Sequence, residues 1–327
     1  MNALIATTGS VLAMAALFVV TPVRGQGIAD YPNKPIRLLV PQEAGSAADT
    51  GVRAIAPALG EALGQPLVVE NRPGAGGVLG MTAGAAAAPN GYTLVGVGAP
   101  QMVTPYVHKN PGYDLFRDFV PIGRYSLNPN ILVVPASLPV SNMKELIAMV
   151  KSKPGQFNMG IAGLGSASHL AGVLFNVLAE LQPLVVPYKG GGAATLAVVG
   201  GEVQYYVAPL PAMIGQIKSG RLKPLGVGGD TRLPQLPEVP TIAEAGLPAY
   251  RSVSWSGLVM PRGTPAAITS KVSEKLAAIL ALPAVQQALA NAGSEPSLLI
   301  GADFEKFMRE DLARFGVAAK AANLQPE

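Results

Sequence analysis

Residues 158–172 read Asn-Met-Gly-Ile-Ala-Gly-Leu-Gly-Ser-Ala-Ser-His-Leu-Ala-Gly. A short apolar run breaks at two glycines, a serine-rich turn follows, and apolar residues at helical spacing continue through Leu174, Phe175, Val177 and Leu178. Strand, glycine turn, serine and helix together can bind an anion through the backbone. The first N–H groups of a helix have no partner inside it, and the helix dipole adds positive potential there. Ser166 or Ser168 can cap the helix or offer a hydroxyl to a ligand. An ordinary capped helix would read the same way, so the rest of the chain must decide. The stretch Gln42-Glu43-Ala44-Gly45-Ser46-Ala47-Ala48-Asp49 also runs into an apolar-periodic segment, and Tyr188-Lys189-Gly190-Gly191-Gly192 makes a third glycine loop before a helix.

Covalent chemistry is poorly provided for. The serine-hydrolase elbow Gly-x-Ser-x-Gly and the phosphate loop Gly-x(4)-Gly-Lys-Ser/Thr are both missing from the sequence. Gly163-x-Gly165-x-x-Ser168 lacks the third glycine of a dinucleotide fingerprint. Glu43 and Asp49 could pair as carboxylates, but no nucleophile or metal set accompanies them, and Asp49 at a helix start suits a cap. There are no cysteines and only two histidines, His108 and His169, which argues against thiolate chemistry, disulfides and a histidine-rich metal site. No enzyme, no metal and no cofactor is therefore expected. His169 could orient its loop by a hydrogen bond to a neighbouring backbone carbonyl, or touch a ligand. Lys189 could attract an anion or stand in solvent. Trp255 suits the core better than a cleft wall, and of Tyr205 and Tyr206 one should face the core and the other the opposite side of their strand.

The 327 residues suggest two domains, and with 49% hydrophobic and 13% charged residues a large core is easily built. The formal charge of +4 is scattered and carries no basic run with interleaved aromatics, so no nucleic-acid partner is expected. Residues 3–20 are apolar with small residues, Thr21-Pro22 ends the run, and Gly25, Gly27 and Ala29 suit a signal peptidase. Residues 1–27 are read as a cleaved signal peptide, although no Lys or Arg precedes the apolar run, and an uncleaved anchor is the competing reading. Export of a soluble mature chain follows from the first of these; a periplasmic location and a monomeric state are also expected.

Strands are expected at 36–40, 67–70 and 92–97, each followed by a loop and helix, which argues for a parallel sheet with right-handed crossovers. Residues 118–134 read as a crossover to a second domain that repeats the pattern. There, helices are expected at 140–151 and 212–218 and strands at 184–187, 203–207 and 224–227. Residues 252–259 read as a crossover back, and helices at 265–280, 283–292 and 302–319 close the chain. The expected fold is α/β, with two doubly wound domains hinged by two crossover segments. Residues 30–127 and 251–327 form the first domain and 128–250 the second. Ligands of such sheets bind at the carboxyl ends of strands, here across a cleft.

Several segments in order resemble one family. They are Tyr31-Pro32-Asn33-Lys34-Pro35-Ile36-Arg37, Val69-Glu70-Asn71-Arg72-Pro73-Gly74-Ala75-Gly76-Gly77, Pro89-Asn90-Gly91-Tyr92-Thr93-Leu94 and Tyr113-Asp114-Leu115-Phe116-Arg117-Asp118-Phe119. The opening serine loop, Val186-Pro187-Tyr188-Lys189-Gly190, and Pro237-Glu238-Val239-Pro240-Thr241-Ile242-Ala243-Glu244-Ala245-Gly246 follow. Essentially the whole mature chain resembles the Bug-type extracytoplasmic solute receptors of tripartite tricarboxylate transporters. The resemblance implies a periplasmic-binding-protein type II-like fold that closes on a small organic carboxylate, held largely by backbone N–H groups and water. The implied partners are that organic acid, mono- or dicarboxylate, and integral membrane transporter subunits. The alternative is a sensor that presents its loaded form to a membrane signalling kinase.

The candidate ligand contacts are Gln42, Gly45, Ser46, Ala47 and Asp49 in the first loop and Gln101 after the third strand. In the second domain they are Gly165, Ser166, Ala167, Ser168, Lys189, Gly190 and Ala208. The chain departs from the family where Gln42-Glu43-Ala44-Gly45-Ser46 replaces a Phe-x-Pro-Gly-Gly type loop, gaining an acid. Gln204 and Ala208 replace expected aspartates, and the loss at Ala208 argues against a ligand ammonium group there.

Overall fold

A computed structural model describes residues 30–321 and residue 326; residues 1–27, read as a signal peptide, lie outside them. The inner strands form because their residues are apolar on both faces. Strand β1 (Ile36–Val40) is buried at four of five positions, and β3 (Thr93–Gly98) at every one. Such runs suit a sheet covered on both sides. β1 pairs in parallel with β2 (Leu67–Asn71) and with β3. In the second half β5 (Asn158–Ile161) pairs in parallel with β6 (Leu184–Pro187) and β7 (Tyr205–Pro209).

The two expected crossovers are long antiparallel strands. β4 (Phe119–Pro135) pairs along 119–129 with β9 (Val253–Pro261), and over 130–135 with β7 and β8 (Leu222–Val227). β9 also pairs with β3, so a single ten-stranded sheet runs β2-β1-β3-β9-β4-β7-β5-β6. β8 and a strand absent from the sequence reading, β10 (Glu295–Ile300), also pair with β4. Its burial alternates between half-buried and exposed, with a proline inside, so it carries little apolar signal.

Helices follow the parallel strands. α1 (Ala47–Leu63) and α2 (Val78–Ala85) follow β1 and β2, and α3 (Ala99–Val107) follows β3. A single turn, α4 (Leu115–Asp118), leads into β4, and α5 (Met143–Ser152) precedes β5. α6 (Ala167–Ala179) and α7 (Gly191–Val199) follow β5 and β6, and α8 (Ile214–Lys218) precedes β8. α9 (Ala266–Leu280), α10 (Pro283–Asn291) and α11 (Gly301–Ala321) complete the described chain. α5 starts later than its apolar pattern suggests because Asn142 caps it, accepting from the Glu145 N–H at 2.9 Å.

Alternation along β4 builds two cores, one on each face of the second half. Leu132 and Val134 pack with Met159, Phe175 and Tyr205; Ile131 and Val133 pack with Tyr206, Ala208, Ala194 and Met213. The first half has its own core around Leu39, Val95, Val97, Trp255 and Phe304. The outcome for functional geometry is that β1, β3, β5 and β6 all end, at their carboxyl ends, in loops that open helices.

Candidate functional site

Two of these loops are built alike. Gly45 and Gly165 take positive φ, 78° and 72°, which favours glycine. Ser46 and Ser166 then cap α1 and α6, accepting from the Asp49 and His169 N–H groups at 3.2 Å. The residue four after each glycine reaches back to it. Asp49 Oδ2 accepts from the Gly45 N–H at 2.9 Å, and His169 Nδ1 accepts from the Gly165 N–H at 3.1 Å. The fourth N–H of each helix bonds the cap carbonyl, Thr50 to Ser46 at 2.9 Å and Leu170 to Ser166 at 3.2 Å. What remains for a ligand is the N–H pair at Ala47 and Ala48 and that at Ala167 and Ser168. Glycine shapes the turn here, and the two N–H groups following each serine have no partner within it.

Electrostatics hold these turns together. Burial works against the Asp49 charge, but the bonds from Arg53, Gly45 and Asn71 together outweigh it and keep the carboxyl below its ordinary value. Burial lowers the pKa of His169, so at neutral pH the imidazole is neutral and its Nδ1 is free to accept. His169 thus orients its loop, as one of its two readings held, but as acceptor for a backbone N–H rather than as donor to a carbonyl.

A cavity of about 500 Å³ lies between these loops. From the first half it is lined by Gln42, Glu43, Ser46, Ala47 and Ala48, by Pro73 to Gly77, and by Pro100, Thr104, Val107 and His108. From the second half come Ala162 to Ser168, Tyr188 to Gly191, Tyr206, Pro209 and Ala212. β4 and β9 supply Asn128, Ser254, Trp255 and Ser256. Asn128 is almost fully buried; it donates to Ser256 Oγ and accepts from Ser294 Oγ, both at 2.8 Å. Trp255 Nε1 donates to Asp311 at 2.7 Å, which fixes the indole between core and cavity. Tyr206 hydrogen-bonds Ser168, whose Oγ also accepts from the Ala162 N–H at 2.9 Å; burial pushes the Tyr206 hydroxyl up to about 12. The wall is otherwise mainly proline, glycine, alanine and aromatic carbon, and Glu43 and Lys189 are the carboxylate and the ammonium on it. A shallower hollow along the later turns of α1, from Arg53 to Gln65, gathers no helix starts.

Gln42, Ser46, Ala47, Gly165, Ser166, Ala167, Ser168, Lys189 and Gly190 are therefore brought to one cavity. Gly45, Asp49, Gln101 and Ala208 are not among its lining residues. Gly45 and Asp49 bond each other, Gln101 Oε1 accepts from the Gly98 N–H at 2.8 Å, and Ala208 is fully buried in the core. Sequence reading had placed α3 in the site through Gln101 rather than Pro100, Thr104 and Val107, and had not placed the 73–77 loop, Tyr206 or the β4 and β9 serines and asparagine there. The glycine run at 73–77 was a signal that could have located one of them. Among the described residues no group of three or more His, Asp or Glu could hold a metal ion.

Helix-opening loops at strand carboxyl ends, meeting across a cavity from two halves of a mixed sheet, define a solute-binding protein with a periplasmic-binding-protein-like α/β fold. The chain belongs to the tripartite tricarboxylate transporter family receptors, whose model matches residues 52–324. It is 33% identical over 308 residues to protein BugT of Bordetella pertussis, covering 93% of this chain and 94% of that protein. Among solved structures it resembles R. palustris Rpa4515 with adipate at 33% identity and a TM-score of 0.88, covering 91% of this chain and all of that one. It also resembles MatC from Rhodopseudomonas palustris with bound malate, at 29% identity and a TM-score of 0.79, covering 88% of this chain and all of that one. The family is one of receptors, not enzymes, and the Bug-type resemblance holds across the chain.

Proposed function

We propose that this receptor captures a small organic carboxylate in the cavity between the two halves and hands it to the membrane subunits of a tripartite tricarboxylate-type transporter. The observation that carries the reading is the pair of serine-capped helix starts, each leaving two N–H groups beside one cavity. The adipate and malate of the two similar structures support the same class. A helix end stabilises an anion by about 0.3–2 kcal/mol, and each charge-assisted hydrogen bond adds about 1.5–3 kcal/mol. A few such bonds reach the roughly 8 kcal/mol of micromolar binding without an arginine.

The division into 30–127 with 251–327 and 128–250 is part of the proposal, as are periplasmic location after loss of residues 1–27 and a monomeric state. Among the described residues no helix is long and apolar enough to cross a membrane. A thermal-shift screen of organic acids, followed by calorimetry on the best, tests the reading. The acid should bind at least about tenfold more tightly than its methyl ester. Ser168→Asp should abolish binding while the fold survives, because an acid in the first turn of α6 suits the helix dipole but repels a carboxylate. Equal binding of acid and ester, or normal binding by the variant, would move the carboxylate elsewhere.

A further inference from the structure

A third helix start faces the same cavity, and it is treated differently. α7 begins at Gly190, with φ 95° and no side chain to cap it, so the N–H groups of Gly191, Gly192 and Ala193 find no acceptor in their own loop; the Ala194 N–H bonds Gly190 O at 3.2 Å. What lies against this helix start is Glu43, from the opposite half of the molecule. A Cβ built at Gly190 would stand 2.7 Å from Glu43 Cδ and 3.2 Å from Cγ, so the acid side chain is packed onto the glycine's own α-carbon. The neighbouring Ala44 carbonyl oxygen lies 3.8 Å from the corresponding point on Gly192. Glu43 is half-buried and lines the cavity, whereas Lys189, on the α7 loop, is exposed, and among the described residues no ion pair joins the two.

We propose that Glu43 acts as a resident carboxylate at the start of α7 and makes the receptor selective for acids with a single carboxylate. This rests on the carboxylate reading of the cavity. Two helix starts, α1 and α6, are left with free N–H pairs and can hold the ligand's carboxylate. The third, which could hold a second carboxylate at the ligand's far end, faces one supplied by the protein. An incoming dicarboxylate would bring its distal charge against Glu43 inside a confined space walled by Tyr206, Pro209, Ala212 and Trp255, where like charges are poorly screened. The exposed Lys189 ammonium is solvated and compensates this little. A monocarboxylate with an apolar body meets carbon along that wall and no second charge.

The test is calorimetry of the exported full chain with acids matched in length, hexanoate against adipate and benzoate against terephthalate, in wild type and Glu43→Gln. Wild type should bind the monocarboxylate of a pair at least about tenfold more tightly than the dicarboxylate. Glu43→Gln should cut that ratio by about tenfold, since each factor of ten is a single like-charge contact of modest strength. A thermal melt of the variant verifies that it is folded. Wild type binding the dicarboxylate as tightly as its partner, or a ratio unchanged in the folded variant, overturns the role of Glu43 and leaves the carboxylate site standing. Failure of every acid to bind either form at millimolar concentration overturns the carboxylate reading, and this proposal with it.

Discussion

At Gly165 the backbone N–H that could hold a carboxylate is bonded to His169 Nδ1 instead, as the Gly45 N–H is bonded to Asp49. Both acceptors must stay unprotonated for the loops to keep their shape, and the two groups lose that state at different pH. Burial lowers the folded pKa of His169 below its ordinary 6.5, so between the two values the unfolded chain binds the proton more readily. The folded state therefore keeps its full stability above about pH 6.5 and loses some as pH falls from there toward the folded value. Asp49, whose folded pKa lies below 3.8, contributes stability that is complete above that value and is lost only as pH falls beneath it. Urea unfolding between pH 7 and 5 should thus isolate the histidine when wild type is compared with His169→Gln, which offers an acceptor that does not titrate. Glu295 and Asp311, whose carboxyls burial pushes upward, are common to both chains and cancel. Wild type should lose stability more steeply toward pH 5, by at most about 1.4 kcal/mol per pH unit. Parallel slopes would mean the imidazole is not held neutral by its surroundings.

Elements hold these residues to the cavity through close backbone approach. α2 sits so near the β1 and β2 loops that a Cβ at Gly80 would stand 2.6 Å from Arg72 O and 2.7 Å from Pro41 Cα. Gly80→Ala should push α2 away from both loops that carry Gln42, Glu43 and the 73–77 glycines. The expected cost is about 1–3 kcal/mol in chemical denaturation, together with weaker carboxylate binding in calorimetry. An alanine variant of wild-type stability and affinity would show that α2 does not set these loops. The strands flanking these elements were legible in the sequence because β1, β2, β3, β5 and β6 are short apolar runs ended by glycine or proline. The cap of α6 was legible as one of two candidate serines, Ser166, because capping is local chemistry; at α1 the sequence pointed to Asp49, whereas Ser46 is the cap and Asp49 bonds the Gly45 N–H. What stayed hidden was non-local. β10 has half-buried, interrupted residues that become a strand only by pairing with β4. That Asp49 and His169 turn back on their own glycines depends on side-chain direction, which spacing does not report. Tyr205 and Tyr206 were seen to alternate, but only the positions of α6 and α7 decide that Tyr205 meets Phe175 while Tyr206 meets the cavity.

For the whole molecule, the chain passes between the halves at two adjacent places, near Asn130 and near Ser252. They are tied side by side: the Asn130 N–H donates to Ser252 O at 3.1 Å and Asn130 Nδ2 to Ser252 Oγ at 2.6 Å, while Gly228 bonds both, its N–H to Asn130 O at 2.7 Å and its O from Ser252 N–H at 2.8 Å. β4 and β9 are paired along 119–129, so a hinge falls beyond that ladder, near Asn130 and Ser252. Bending there leaves the cores intact, because the second half's cores draw on β4 residues 131–134 and the first half's on Phe119 and on Trp255 and Val259 of β9. The contacts across the cavity are of another kind. Glu43 rests on Gly190, and Gly165 faces Val103 and Val107 of α3, with a Cβ at Gly165 standing 3.1 Å from Val107. These are small, non-interlocking surfaces that can separate, and a ligand touching both helix starts α1 and α6 would add its own bonds to them. Such a ligand has a higher affinity for the closed arrangement than for an open one, which is the condition for it to shift the population. Small-angle X-ray scattering of the exported protein should therefore give a smaller radius of gyration at saturating carboxylate than without it. The difference should be absent in Ser168→Asp, which keeps the fold and the two strand connections but repels the ligand. Identical curves with and without a ligand that calorimetry shows to be bound would mean that the halves are held rigid by β4 and β9, and that the acid enters a cavity already shaped for it.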